Sequence, residues 1–368
     1  MRAVIAGGGT GGHLYPGIAI ASEIVSREPD NRVLFIGTRR GIEEKIVPME
    51  GFDIRFIKIE GFVNVGIAGK IRTLAAIPGA VSESKRILGE FDPHVVIGVG
   101  GYASGPAVMG ARCMGFPTMI QEQNAMPGLA NRILGRLADT VAITYPDSRR
   151  WFDGDKTVFT GNPVRSSIGA AERKGALASL GLEDGRFTVL VLGGSRGAHS
   201  INMAMLGALD RLEDIRWKLQ IIHQTGSADE AAVKEAYRKR SMHGVVSAFM
   251  HEMAQAYAAA DLVICRAGAS TLAEVSACGK ASVLVPYPHA ARNHQEINAR
   301  KVFEMGACRV IHDADLTGAV LAATIRELYE NRDDIAAMER ASKSLGKSGA
   351  ARHIVDLAYE LCRRKGVL

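Results

Sequence analysis

The sequence predicts an α/β protein of two domains, each a parallel sheet covered by helices on both faces. Three observations carry this expectation. Short, continuous apolar runs of strand length alternate with helix-compatible segments along most of the 368 residues. The rhythm breaks once, near the middle, and then restarts. The two halves also open alike, with AVIAGGGTGGH at 3–13 and VLVLGGSRGAH at 189–199, each a strand, a glycine-rich turn and a helix start. Two Rossmann-like domains facing across a ligand cleft are the architecture these features imply.

The elements follow in order. After the first strand, MRAVIA, come VLFIG at 33–37, VVIGVG at 95–100, TMIQEQ at 118–123 and TVAIT at 140–144. TGNPVR at 160–165 interrupts the pattern, so the first domain is assigned to 1–163 and the second to 164–340. The second set of strands is TVLVLGG at 188–194, LQIIHQTG at 219–226, DLVICRAG at 261–268 and SVLVPYP at 282–288. An amphipathic helix, GAARHIVDLAYELCRR at 349–364, closes the chain. Its segment, 341–368, can belong to either half and is placed here with the first.

Composition narrows the function. Hydrophobic residues make up 47% and charged residues 23%, which supplies a globular core. The formal charge of +6 is either a solvated basic surface or an attraction to phosphates, nucleotides or an anionic membrane face. It is spread along the chain without an RNP-like motif or zinc-finger spacing, so no nucleic-acid partner is expected. Cys113, Cys265, Cys278, Cys308 and Cys362 stand singly, as buried thiols do in a reducing cytoplasm. No charged region precedes the first strand, so no signal peptide is expected. The uncharged stretch from Val95 to Ala111 is broken by GG and GP, and reads as strand and loop, not as a membrane span.

Two glycine-rich turns carry the chemistry. Gly7, Gly9 and Gly12 formally match GxGxxG, a weak signal when taken alone. Glycines there let backbone N–H groups and a helix N-terminus face an anion. His13 follows at the helix entrance, where an imidazole is held neutral and can accept a proton; the plainer reading is a structural histidine. In the second half, Gly268, Ala269, Ser270 and Thr271 open a helix that could face a diphosphate, and Glu274 lies one turn beyond Ser270. A carboxylate there can accept from both hydroxyls of a ribose, although a capped helix with an early glutamate explains the same residues. No HExxH or Cys/His ligand set is present, and His289 and His294 have no carboxylate partner in sequence, so neither metal nor cofactor is expected. Diphosphate charge would fall to helix ends, Arg165, Ser195 and Arg196.

Taken together, GGGTGGHLYPGIAIA (7–21), GGYASGPAVMGA (100–111), QEQNAMPGLANR (121–132), TGNPVR, VLGGSRGAHSIN (191–202), CRAGASTLAEVSACG (265–279) and HQEINA (294–299) closely resemble the peptidoglycan N-acetylglucosaminyltransferases of glycosyltransferase family 28. The resemblance runs from Met1 to about Ala299. It implies a GT-B fold and an inverting, metal-independent transfer of N-acetylglucosamine from UDP-N-acetylglucosamine. The acceptor would be the 4-hydroxyl of N-acetylmuramic acid in lipid I, undecaprenyl-diphospho-N-acetylmuramoyl-pentapeptide, and the products lipid II and UDP. It also implies a peripheral place on the cytoplasmic face of the bacterial inner membrane, with other cell-wall synthesis and division proteins as partners. Carried over by position, substrate contacts would come from Thr10, Gly11, Gly12, Asn124, Arg165, Ser195, Met250 through its backbone, Ala269, Ser270, Thr271, Leu272, Ala273, Glu274 and Gln295. His13 is the first candidate for the general base, and Glu122 is the rival, whose alternative role is to orient neighbouring loops.

Two further readings stay open. Another UDP-N-acetylglucosamine enzyme of the same fold, a 2-epimerase or a glycolipid glycosyltransferase, shares the donor features. An NADP-dependent oxidoreductase would use GxGxxG with Arg39 and Arg40 beyond the second strand. Finally, Gly66 to Arg86 places Ile67, Ile71, Leu74 and Val81 near helical spacing with Lys70, Arg72, Lys85 and Arg86 around them. This is either a helix covering the sheet, kinked at Pro78, or an apolar patch that docks on anionic lipid.

Overall fold

The computed structural model describes residues 1–39, 41–59, 67–194 and 197–368, with the side chains of 67–73 left out. The chain forms two compact units, Met1–Arg165 with Lys347–Leu368, and Ser166–Gly346.

The first unit begins with β1 (Arg2–Ala6), α1 (Gly11–Arg27), β2 (Arg32–Gly37), α2 (Glu43–Met49), β3 (Asp53–Phe56) and α3 (Ile67–Phe91). It continues through β4 (Val95–Gly98), α4 (Ser104–Met114), β5 (Thr118–Glu122), α5 (Leu129–Leu137), β6 (Thr140–Ile143) and β7 (Thr157–Phe159). These strands form one parallel seven-stranded sheet in the order β3-β2-β1-β4-β5-β6-β7. The central strands are covered on both faces and largely apolar: every residue of β4, β5 and β6 is buried.

The second unit opens with α6 (Arg173–Ser179), β8 (Phe187–Leu192), α7 (His199–Leu209), β9 (Leu219–Gln224), α8 (Glu230–Lys239) and β10 (Gly244–Ser247). Then come α9 (Met253–Ala259), β11 (Leu262–Cys265), α10 (Ala269–Ala277), β12 (Ala281–Leu284), α11 (His294–Glu304), β13 (Cys308–Val310), α12 (Gly318–Glu330) and α13 (Arg332–Leu345). Its parallel sheet has six strands in the order β10-β9-β8-β11-β12-β13.

The last helix, α14 (Ala350–Arg364), packs on α1. Ile354, Val355, Ala358, Leu361 and Cys362 recur on one face and join the core of the first unit. Arg27 donates to Asp356 at 2.7 Å and Lys365 pairs with Asp139 at 2.9 Å, so polar contacts frame the same seam.

The strands read from the sequence are present, and several stop before their glycines: β4 ends at Gly98, ahead of the left-handed Gly100 and Gly101. β3, β7, β10 and β13 were not legible as apolar runs. They lie at or next to sheet edges, where β3 and β10 keep exposed positions and lose the continuous pattern. The Val95–Ala111 stretch divides into β4, a turn and α4. Among the described residues, no helix is long and apolar enough to cross a membrane.

In each sheet the connections reverse direction at one place, between β1 and β4 in the first unit and between β8 and β11 in the second. Ligands of open parallel sheets bind outside the carboxyl ends of the strands at that place. The glycine turns 7–9 and 99–101 leave the first such edge; Gly193 and Gly194, with the turn 266–268, leave the second.

Candidate active site

In the first unit the two glycine turns interlock. Gly7 N–H donates to Ile36 O at 3.1 Å, and Gly8 N–H donates to Gly100 O at 3.3 Å. Gly9 N–H donates to Glu43 Oε2 at 2.6 Å. A Cβ at Gly7 would overlap the Gly100 carbonyl, and one at Gly101 would overlap Gly8. Both turns use positive φ, +84° at Gly9 and +91° at Gly100, which glycine adopts without strain. The expectation that the N–H groups of Gly7–Gly9 face an anion is therefore corrected: the protein consumes them. The glycines answer to close backbone packing, and the helix start at Thr10–Gly12 is what the loop presents.

His13 sits on the first turn of α1, half-buried. A Cβ at Gly100 would lie 2.6 Å from its Nδ1, so that glycine makes room for the imidazole. Gln123 Oε1 lies 3.1 Å from Nδ1. The Gln123 amide nitrogen donates to Val99 O at 2.7 Å, which turns its oxygen towards the ring. His13 Nδ1–H then donates, and the lone pair is on Nε2. Burial lowers the His13 pKa below 6.5, while the bonds to Gln123 and the Val99 backbone raise it. This is a neutral, oriented imidazole.

Glu122 ends β5 and is fully buried. It accepts from Asn124 N–H at 2.8 Å, Asn124 Nδ2 at 3.1 Å, Gly128 N–H at 3.2 Å and Asn131 Nδ2 at 2.9 Å. Burial pushes its pKa up, and these bonds work against that. Such bonding holds the 122–131 loop together, the second role that the sequence allowed it. Arg165 lies with its guanidinium 4.6 Å from the Tyr15 ring centre and 4.0 Å from Glu50. Thr10, the α1 start with Gly11, Gly12 and His13, the β5 end at Glu122, and Asn124 all lie at the carboxyl edge of this one sheet.

In the second unit, α10 begins directly after β11, with Gly268 as its extended cap residue. Ala269 and Leu272 are buried, whereas Ser270, Thr271, Ala273 and Glu274 keep partial exposure. The first turn of α10 carries no acid, so its positive end is not neutralised from within. Tyr257, wholly buried in α9, donates its hydroxyl to Glu274 Oε2 at 3.0 Å and fixes that carboxylate. Met250 is buried, and its N–H donates to Gln224 Oε1 at 2.9 Å. The Gln224 amide nitrogen donates in turn to Gly194 O at 3.0 Å, tying the β8 turn to the Met250 segment. Gln295, at the start of α11, accepts from Tyr287 N–H at 3.0 Å. Arg266 gathers neighbouring loops: it pairs with Asp313 at 2.5 Å and reaches Ser200 Oγ at 2.7 Å. Ser195 and Arg196 lie outside the described residues.

Behind this edge is a buried polar network. Asn202 donates to Thr225 O at 2.9 Å and to Asp229 at 2.7 Å, and its Oδ1 lies 3.0 Å from His223 Nε2. The Tyr237 hydroxyl lies 2.9 Å from His223 Nδ1. Burial drives the His223 pKa down to about 3, so its ring is neutral. The network backs the turn where a Cβ at Gly197 would overlap the Thr225 carbonyl.

The sequence did not single out Gln123, Glu43, Tyr257, Gln224 or Arg266. Period-2 alternation in TMIQEQ offered one signal, because it sets Gln121 and Gln123 on the face opposite Glu122. The others are contacts between segments far apart in sequence. Among the described residues, no cluster of three or more His, Cys, Asp or Glu side chains is spaced to hold a metal ion.

The glycosyltransferase family 28 N-terminal domain model matches residues 3–143, and the family 28 C-terminal domain model matches 188–354. A UDP-N-acetylglucosamine–N-acetylmuramyl-(pentapeptide) pyrophosphoryl-undecaprenol N-acetylglucosamine transferase from Thermodesulfovibrio yellowstonii is 47% identical over 99% of this chain and 100% of its own length. The enzyme of that name from Myxococcus xanthus is 45% identical, covering 98% of this chain and 93% of its own. Among solved structures, MurG from Acinetobacter baumannii superposes with a TM-score of 0.76 at 30% identity, over 98% of this chain and 99% of its own. A UDP-GlcNAc 2-epimerase from Neisseria meningitidis matches with a TM-score of 0.68 at 12% identity, over 98% and 100% of the two chains, and shares the fold alone.

Proposed function

The chain belongs to glycosyltransferase family 28, and on that premise we infer the reaction it performs and the residues that perform it. It is an N-acetylglucosaminyltransferase of the GT-B class. It transfers N-acetylglucosamine from UDP-N-acetylglucosamine to N-acetylmuramyl-(pentapeptide) pyrophosphoryl-undecaprenol, lipid I, and forms lipid II in peptidoglycan synthesis. The carrying observation is identity of 45–47% across both units to relatives that share this one activity. The oxidoreductase alternative loses its premise as well, because the β1 glycine loop spends its N–H groups inside the protein.

The mechanism assigns a task to each side chain. The acceptor 4-hydroxyl attacks the anomeric carbon on the face opposite UDP, so configuration inverts, and His13 Nε2 takes the hydroxyl proton. Its neutrality and fixed tautomer support this role over Glu122, whose oxygens are engaged by loop donors. Glu122 then acts by holding Asn124 and the loop beside it. In the second unit the α10 start, Ala269–Thr271 with Leu272 and Ala273 behind it, stabilises the leaving diphosphate, with Ser195. Glu274, oriented by Tyr257, accepts from the ribose hydroxyls; the Met250 backbone lies beside the base and Gln295 reaches the sugar. Thr10, Gly11, Gly12, Asn124 and Arg165 are the groups the first unit offers to substrate.

A lipid-linked acceptor supports a peripheral position at the cytoplasmic face of the inner membrane. α3 supplies a docking element: one face buries Ala80, Ile87 and Leu88, while Leu74, Pro78, Lys85 and Arg86 are exposed. The deciding experiment measures UDP release with and without a lipid I analogue, in EDTA, for wild type and His13→Ala. Acceptor-dependent release by wild type that drops about 10²–10⁴-fold in the variant supports the assignment. Release unaffected by the substitution moves the proton to another group, and release independent of acceptor overturns the transferase.

A further inference from the structure

Glu43 has no part in the reaction as described, yet its carboxylate lies deep in the first unit, 1% exposed. It reaches out of α2 into a slot made by three glycines from separate places. A Cβ at Gly8, Gly37 or Gly41 would overlap Glu43 side-chain atoms. Inside the slot Oε2 accepts from Gly9 N–H at 2.6 Å, while Oε1 accepts from Thr38 N–H at 3.0 Å and Thr38 Oγ1 at 2.9 Å. A buried carboxylate survives only with such donors, and each donor is thereby fixed in space.

The contacts continue to the reacting end of the molecule. Gly8, beside the carboxylate, donates to Gly100 O, and a Cβ at Gly101 would overlap Gly8. Gly100 in turn abuts His13 Nδ1, the atom bonded to Gln123. The order of contact is Glu43, the 7–9 turn, the 99–101 turn, His13.

We propose that Glu43 is a positioning residue, an internal anion that fills the β1–α1 glycine loop and, through the two interlocked turns, holds His13 against Gln123. The inference rests on the transferase reading, with His13 at the acceptor hydroxyl. It also accounts for the Gly9 N–H, which the protein satisfies with an anion of its own, while the Gly7 and Gly8 N–H groups bond backbone carbonyls.

The test compares wild type with Glu43→Gln, Glu43→Asp and the milder Thr38→Val, which removes one donor to the carboxylate. A glutamine turns an amide N–H towards backbone donors, so the loop must shift while the side chain keeps its size. In histidine-¹⁵N NMR, the His13 Nδ1 resonance, assigned by its absence in His13→Gln, is expected to move in Glu43→Gln. With both substrates, kcat should fall about 10²-fold while the KM for UDP-N-acetylglucosamine stays within about twofold. Thr38→Val should show a smaller loss with the same split, and Glu43→Asp a partial recovery over Glu43→Gln. An unmoved His13 resonance overturns the proposal, as does an unchanged kcat or a loss shared with the donor KM. The resonance needs no turnover, so wild type without acceptor-dependent UDP release would overturn the transferase reading and still leave the role of Glu43 decided.

Discussion

A base must be unprotonated to work, and the surroundings of His13 favour that state. Because burial holds its pKa below 6.5, the acid limb of the pH profile of kcat/KM is expected below that value. A limb at or above it, measured with the acceptor varied, would assign the proton to a different group. Glu274 presents the opposite problem, a charged side chain that must keep one orientation. The Tyr257 hydroxyl provides it at 3.0 Å. Removing that bond with Tyr257→Phe should weaken donor binding by about 1 kcal/mol, roughly a fivefold rise in the KM for UDP-N-acetylglucosamine at nearly constant kcat. Unchanged KM would remove Tyr257 from the donor site. Both arguments depend on one neighbour each, Gln123 and Tyr257, and only Gln123 had a signal in the local pattern.

Helices decide two questions that side chains alone leave open. α14 follows the second unit in sequence but completes the core of the first, with Ile354 and Leu361 buried against it. Truncating Ile354 to Ala should cost about 2–5 kcal/mol, with thermal unfolding of the first unit moving first. If the transition of the second unit moves instead, the packing described for α14 is wrong. The membrane element is tested on α3, where Leu74 is 58% exposed. Replacing it with Ser should reduce binding to anionic vesicles while leaving turnover of a short-chain acceptor intact. Vesicle binding that does not change would reduce α3 to a covering helix. Of the other apolar residues grouped with Leu74 in the sequence, Ile67 and Ile71 have side chains outside the described residues.

At the scale of the whole molecule, buried neutral imidazoles couple stability to pH. The His223 pKa is about 3 in the folded protein against an ordinary 6.5, so below 6.5 the unfolded chain binds a proton that the native state refuses. Stability from this group is complete above pH 6.5 and is lost as pH falls towards 3, at about 1.4 kcal/mol per pH unit. His13 adds in the same direction. Denaturant unfolding followed between pH 7 and 5 should show this slope, and His223→Gln should flatten it. An unaltered slope in the variant would mean that other groups carry the acid sensitivity.

What the sequence determined by itself was whatever is written in local pattern. Apolar runs marked the central strands, since strands covered on both faces are apolar at most positions. Glycine clusters marked the turns at the carboxyl edges, and a series of motifs across both halves identified the family. Edge strands stayed hidden because half-exposed residues dilute the same pattern. Only the tertiary structure decided what the first glycine loop is for. Its N–H groups are taken by Ile36, Gly100 and Glu43, partners between 29 and 92 residues away that the fold brings together. Glycine in a sequence reports that space is required there; which neighbour fills it, an outside anion or a carboxylate of the same chain, depends on contacts that exist only once the sheet has formed.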